Sequence, residues 1–211
     1  MSELLDRILE GENQHQDFKF KIDDSCKIAR TLCAFANTEG GSLLIGVKDN
    51  RKIVGCEPKE ELQMIEIAAK TFCQPEVRFT YKIWQEEFRL VLEIIVPKSK
   101  QIPYKSKDDN GRWHPYIRVQ DHTTAVNKIL ESVWKEQRKA TFSQNKLNLE
   151  DGDLLNIIRE EQKITLSQLY KKSNSPLSKV DEIVVRLICQ NFVEMKFERD
   201  GVYYKSSDLP Y

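Results

Sequence analysis

The chain lacks net charge: its 33 Lys and Arg balance 33 Asp and Glu over 211 residues. No global field therefore draws it to nucleic acid or to an anionic membrane, and any such partner must be met by a local patch. Long apolar runs are also missing. Runs such as Leu43-Leu44-Ile45 and Ile94-Ile95-Val96 fall far short of the roughly 20 residues that span a bilayer, so no membrane is expected among the partners. The opening Met1-Ser2-Glu3-Leu4-Leu5-Asp6-Arg7 has acidic residues and no apolar signal segment, and the expected location is the cytoplasm. The five cysteines (Cys26, Cys33, Cys56, Cys73, Cys189) are odd in number, widely spread and never spaced C-x-x-C. That excludes a disulfide framework and a zinc knuckle and leaves free core thiols. Nor is there a G-x-x-x-x-G-K-[ST] phosphate loop.

What is present divides into two parts. Leu4, Leu5, Ile8 and Leu9 predict a short amphipathic helix stopped at Gly11, and the alternating Phe18 and Phe20 predict a strand with Lys19 and Lys21 turned outward. Residues 25–37 carry an apolar helical face of Ile28, Leu32, Phe35 and Ala36, closed by Asn37-Thr38-Glu39-Gly40-Gly41. Residues 42–47 read as a central strand, with Ile53-Val54-Gly55 as its hairpin return. A helix over 58–72 and strands over 77–84 and 88–96 follow. Two further apolar segments, Ile102-Pro103-Tyr104 and Tyr116-Ile117-Arg118-Val119, flank a turn at Asp108-Asp109-Asn110-Gly111, and a helix is expected after Asp121. Residues 1–140 thus predict an α+β domain with a mixed or antiparallel sheet and packed helices. A polar linker is expected over 141–152. Residues 153–211 then predict three short helices and two strands joined across Arg199-Asp200-Gly201, the order of a small winged-helix-like domain.

Asp17-Phe18-Lys19, Ala34-Phe35-Ala36-Asn37-Thr38-Glu39-Gly40-Gly41, Leu44-Ile45-Gly46-Val47-Lys48-Asp49 and Ile53-Val54-Gly55 occur in that order. Together they resemble the Schlafen AlbA-type domain, over roughly residues 10–130. Tyr116-Ile117-Arg118-Val119 is similar to a later strand of that family, which usually continues with Gly-Ser where this chain has Gln120-Asp121. The resemblance implies a DNA-binding, transcription-regulating protein of bacterial type, with ATP binding or protein interaction as alternatives. The small Ala34 and Ala36 allow the helix to pack closely. Asn37, Gly40 and Gly41 suit a sharp helix-to-strand turn, and a phosphate cradle is disfavoured because the glycines follow a helix C-terminus, where the dipole repels anions.

In RNA-cleaving mammalian Schlafen proteins, two acidic residues five apart precede the Phe-Lys pair and an aspartate closes the following strand. Glu12, Asp17 and Asp49 match those positions, with Asp17 in place of a glutamate. The resemblance thus implies a second reading, an endoribonuclease for structured RNA in which these three residues are catalytic and hold Mg²⁺ or Mn²⁺. Taken singly, Glu12 reads as a solvated loop residue, Asp17 as a cap or an ion-pair partner of Lys19 or Lys21, and Asp49 as a turn former before Asn50. His15, His114 and His122 are too isolated to suggest a zinc centre.

Charge is uneven along the chain. From Lys98 to Lys139 there are ten Lys and Arg against five Asp and Glu, interleaved with Tyr104, Trp113 and Tyr116. Such a stretch suits a nucleic-acid surface, or simply a solvated face. Candidate contacts to DNA or structured RNA are Lys19, Lys21 and Arg118 in the first part and Lys171, Lys172, Lys179 and Arg186 in the second. The second part serves equally well as a protein-interaction module, and a homodimer is among the assemblies open to the chain.

Overall fold

The computed structural model describes residues 2–139 and 148–207. These form two compact units, one up to Val126 and one from Asn127 onward. The division falls ahead of the expected 141–152 linker because Ile129 and Val133 pack with Leu154, Val180 and Val184 in the second core. Most of that linker, and the end of the tail, lie outside the described residues.

In the first unit, α1 (Glu3–Glu10) is capped by the Ser2 hydroxyl and ends at Gly11, whose φ of 80° suits a residue without a side chain. Strand β1 (Gln16–Lys19) runs parallel to β2 (Gly41–Ile45), and α2 (Ser25–Asn37) connects them. Asp24 caps α2 by accepting the Cys26 and Lys27 amides. After α3 (Pro58–Thr71) come the short β3 (Cys73–Gln74) and the hairpin of β4 (Thr80–Glu86) and β5 (Arg89–Val96). Two four-stranded sheets result. The first is mixed, in the order β1-β2-β5-β4. The second is antiparallel and joins β3 to β6 (Lys105–Lys107), β7 (Trp113–Val119) and β8 (His122–Ala125).

The reading of 42–47 as a central strand holds, and its flanks explain the apolar run: Leu43 and Ile45 pack with α2 and α3 residues, while Leu44 faces Leu4, Ile8 and Phe18. The expected hairpin with 53–55 is present only at its tip. Val47 and Ile53 form a single antiparallel bridge, the Lys48 amide donates to the Lys52 carbonyl, and the Val54 and Gly55 amides donate to the Gly46 carbonyl. Both edges of β2 are taken, by β1 and β5. The helix expected after Asp121 starts later, because His122–Ala125 pair with β7 first.

In the second unit, α4 (Lys128–Gln137), α5 (Leu149–Glu161), α6 (Leu166–Lys172) and α7 (Leu177–Cys189) surround one apolar core. A three-stranded sheet has the order β10-β11-β9, formed by β10 (Val193–Glu198), β11 (Gly201–Ser206) and β9 (Ile164–Thr165). Reciprocal side-chain caps fix two helix starts, Asn148 with Asp151 and Thr165 with Gln168.

Candidate nucleic-acid interface

Of the three candidate acids, the fold brings two together. Asp17 lies in β1, 4% exposed, and Glu12 sits on the loop before it, accepting the Phe18 amide at 2.9 Å. Burial first, and then a hydrogen bond shared with Asp17, holds the Glu12 carboxyl above its ordinary pKa. The neighbour that satisfies Asp17 is Arg118, itself 3% exposed on β7. Its guanidinium donates to Asp17 Oδ1 at 3.2 Å and to the carbonyls of Gln16 at 3.0 Å and Asn13 at 3.2 Å, and lies 5.4 Å from the Phe35 ring centroid. Lys19 Nζ takes the other oxygen, Asp17 Oδ2, at 3.1 Å.

Asp49 is elsewhere, exposed on the turn after β2 and beside Phe20, Lys48 and Asn50 on a shallow surface. Among the described residues no group of three or more His, Cys, Asp or Glu is placed to hold a metal. A hard divalent cation needs free carboxylate oxygens. Those of Asp17 already carry two internal cations, so this arrangement does not fit Mg²⁺ or Mn²⁺, and no metal-dependent step follows from it.

The two family-like segments of the sequence are bonded to each other. Buried Asn37 donates to the carbonyls of Tyr104 at 2.7 Å and Tyr116 at 2.8 Å and accepts the Tyr104 amide at 2.7 Å. Its role is this three-way bridge at the end of α2; the residue with positive φ is Gly40, at 78°. Thr38 Oγ1 donates to the Ala34 carbonyl and accepts the Arg118 amide at 3.0 Å. Gly41 is required by close packing, since a Cβ there would stand 2.4 Å from the Phe35 ring.

Most of the expected nucleic-acid contacts have an acidic partner within the chain, several of them in ion pairs at the surface. Arg118 is interior and cannot meet a phosphate. Arg186 binds Asp151 at 2.7 Å, and Asp151 is 1% exposed. Lys179 pairs with Glu150, Lys172 with Glu161 and Lys21 with Asp23. Lys19 is held by Asp17 and the Phe18 carbonyl. Lys171 alone of this set is exposed with no ion pair among the described residues.

Free positive charge collects instead on the β6–β7 hairpin. Lys107 stands opposite Trp113, its ammonium 5.2 Å from the indole centroid, and Arg112 is exposed at the turn. Both acids of that turn have partners within the chain, although Asp109 remains 82% exposed. Asp108 accepts the amides of Arg112 and Asn110, which hold its carboxyl below the ordinary range, and Asp109 binds Arg30 at 2.6 Å. Lys105 and Arg112 form no ion pair among the described residues.

The sequence profile of the Schlafen, AlbA_2 family matches residues 12–127. The chain belongs to this family, and with it comes an association with nucleic-acid binding. No curated protein matches the chain. Among solved structures it is similar to the N-terminal domain of a RecG-related protein from Nitrosomonas europaea, at 20% identity and a TM-score of 0.43, covering 69% of this chain and 97% of that one. It is also similar to the DIP2311 protein from Corynebacterium diphtheriae, at 18% identity and a TM-score of 0.45, covering 92% of this chain and 38% of that one. No described helix is long and apolar enough to cross a membrane.

Proposed function

We propose that the protein is a DNA-binding regulator whose first unit makes the principal contact. The observation that carries this reading is the β6–β7 hairpin, where Lys105, Lys107 and Arg112 accompany an exposed Trp113 and outnumber the neighbouring Asp108 and Asp109, of which Asp109 is paired with Arg30. A two-stranded ribbon fits the major groove of a duplex, and cations along it neutralise phosphates. The second unit supports a winged-helix-like reading by its order of helices and its Asp200-Gly201 hairpin. Helix α7 offers little to a phosphate, since Lys179 and Arg186 are both paired. A protein-interaction role suits it better.

The test is duplex binding measured over a salt series. Lys107→Glu with Arg112→Glu should weaken it about tenfold or more and lower the slope of log K against log salt by about 2, at ~0.9 for each phosphate no longer neutralised. Asp49→Ala should leave binding unchanged, because Asp49 is exposed and pairs with no cation among the described residues. A wild-type protein that binds no duplex even at low salt would sink this reading.

A further inference from the structure

A second concentration of free cations lies in a groove of about 620 Å³ in the first unit, between the segment 75–78 and the loop 97–101, with Ala36 and Tyr104 in its lining. Arg78, Lys98 and Lys100 line it, are exposed or partly so, and form no ion pair among the described residues. The acid in the lining is Glu76, also exposed. Three like charges in one concavity repel each other, and such a cleft focuses a positive field onto whatever anion enters it.

The groove is built rather than incidental. The Ser99 amide donates to the Ala36 carbonyl at 2.9 Å at the end of α2, and the Gln101 amide donates to Ser99 Oγ at 3.0 Å. Gly40 lies so close beneath the loop that a Cβ there would stand 2.8 Å from both the Lys98 nitrogen and the Val96 oxygen. Tyr104 is fixed at both its amide and its carbonyl by Asn37. The Asn37–Gly41 turn thus sets the backbone that carries Lys98 and Lys100, a use of those glycines that differs from a direct phosphate cradle.

We propose that this groove receives a single nucleic-acid strand, whose backbone phosphates are met by Arg78, Lys98 and Lys100. The inference rests on the nucleic-acid reading above and adds the form of the ligand. Pockets that hold small ligands run from about 300 to 1,000 Å³, so a groove of this volume has room for a few sugar-phosphates of one backbone. Cationic grooves that track one backbone are the common device of single-strand binders.

The test uses the full chain and fluorescence anisotropy with two probes, a labelled oligothymidylate and a duplex of the same length, over a salt series. The Arg78→Glu, Lys98→Glu, Lys100→Glu variant is compared with wild type after circular dichroism and thermal melting confirm that it is folded. The expected result is a loss of single-strand affinity of about tenfold or more, with the salt slope reduced by about 2 at ~0.7 for each phosphate, and duplex binding nearly unchanged. Unchanged single-strand binding, or an equal loss on both probes, overturns the groove inference while leaving nucleic-acid binding in place. Failure of wild type to bind either probe overturns the underlying reading instead. Should the triple variant not fold, Arg78→Gln, Lys98→Gln and Lys100→Gln taken singly should each reduce the single-strand slope by about 0.7, and unchanged slopes in all three would count against the groove.

Discussion

The first unit treats charge in two opposite ways. Around Glu12, Asp17 and Arg118 the charged groups have been drawn inward and satisfied there, with Asp17 and Arg118 both under 5% exposed. Around Arg78, Lys98 and Lys100 the cations face solvent without an ion pair among the described residues, beside a loop whose backbone is pinned. The same residue types therefore hold a fold together in one place and remain available to a ligand in the other. A cation contributes to binding only where its counter-charge has not already been supplied by the protein.

The sharpest way to break this contrast is Arg118→Met. It would leave Asp17 buried with only the partly exposed Lys19, and would also strip the donors from the Asn13 and Gln16 carbonyls. The expected loss is about 3–5 kcal/mol of folding stability, the cost of removing one member of a buried pair. Urea denaturation measures it. Nucleic-acid affinity, assayed well below the unfolding transition, should stay at the wild-type level. A selective loss of binding with stability intact would mean that Arg118 reaches ligand after all.

This distinction is only partly legible in the sequence. The α2 helix over 25–37 and its Asn-Thr-x-Gly-Gly stop can be read from periodicity and breakers, because both are local. The family segments are legible for the same reason. Long-range partners are not. Nothing local shows that Thr38 accepts the Arg118 amide eighty residues away, or that β5 rather than 53–55 occupies the free edge of β2. The candidate site suffers most from this. Glu12 and Asp17 do lie together, but only motif order groups Asp49 with them, and the sequence presents Arg118 and Arg186 as surface cations although each has a buried carboxylate partner. Arg78 falls outside the basic stretch that begins at Lys98. Only the fold brings the two segments to one groove.

A smaller effect is expected on the groove side from Gly40→Ala. The φ of 78° disfavours any side chain, and the new methyl group would press on backbone atoms of Val96 and Lys98, which have less room to yield than a flexible side chain. Stability should fall by about 1–3 kcal/mol, the usual cost of a strained backbone position. Because the displaced atoms belong to the cationic loop, single-strand affinity should fall as well, with the slope against salt altered. Thermal melting and anisotropy on the same preparation separate the two effects. A destabilised variant with wild-type single-strand binding would show that the turn supports the fold without positioning the loop.

The mildest expected effect concerns pH and two carboxylates of the first unit, buried Glu93 and half-buried Glu12, that stand in different company. Burial acts to raise the pKa of Glu93, but donors from Arg7, Trp84 and Ser42 outweigh it and hold the group below its ordinary 4.5. Glu12 is held above 4.5, by burial and then by its bond to Asp17. The signs of their linkage to folding are therefore opposite. Glu93 contributes stability above 4.5 that is lost as pH falls through its lowered folded value. The contribution of Glu12 is complete below 4.5 and is lost as pH rises through its raised folded value. Denaturation midpoints for Glu93→Gln and Glu12→Gln across the acid range should diverge accordingly. The cost of Glu93→Gln should grow as pH rises out of the acid range, while Glu12→Gln should gain on wild type over the same rise. Parallel slopes in the two variants would mean that burial and the bond to Asp17 do not raise the Glu12 carboxyl, and that the acidic pair is more open to solvent than its bonding with Phe18 and Asp17 implies.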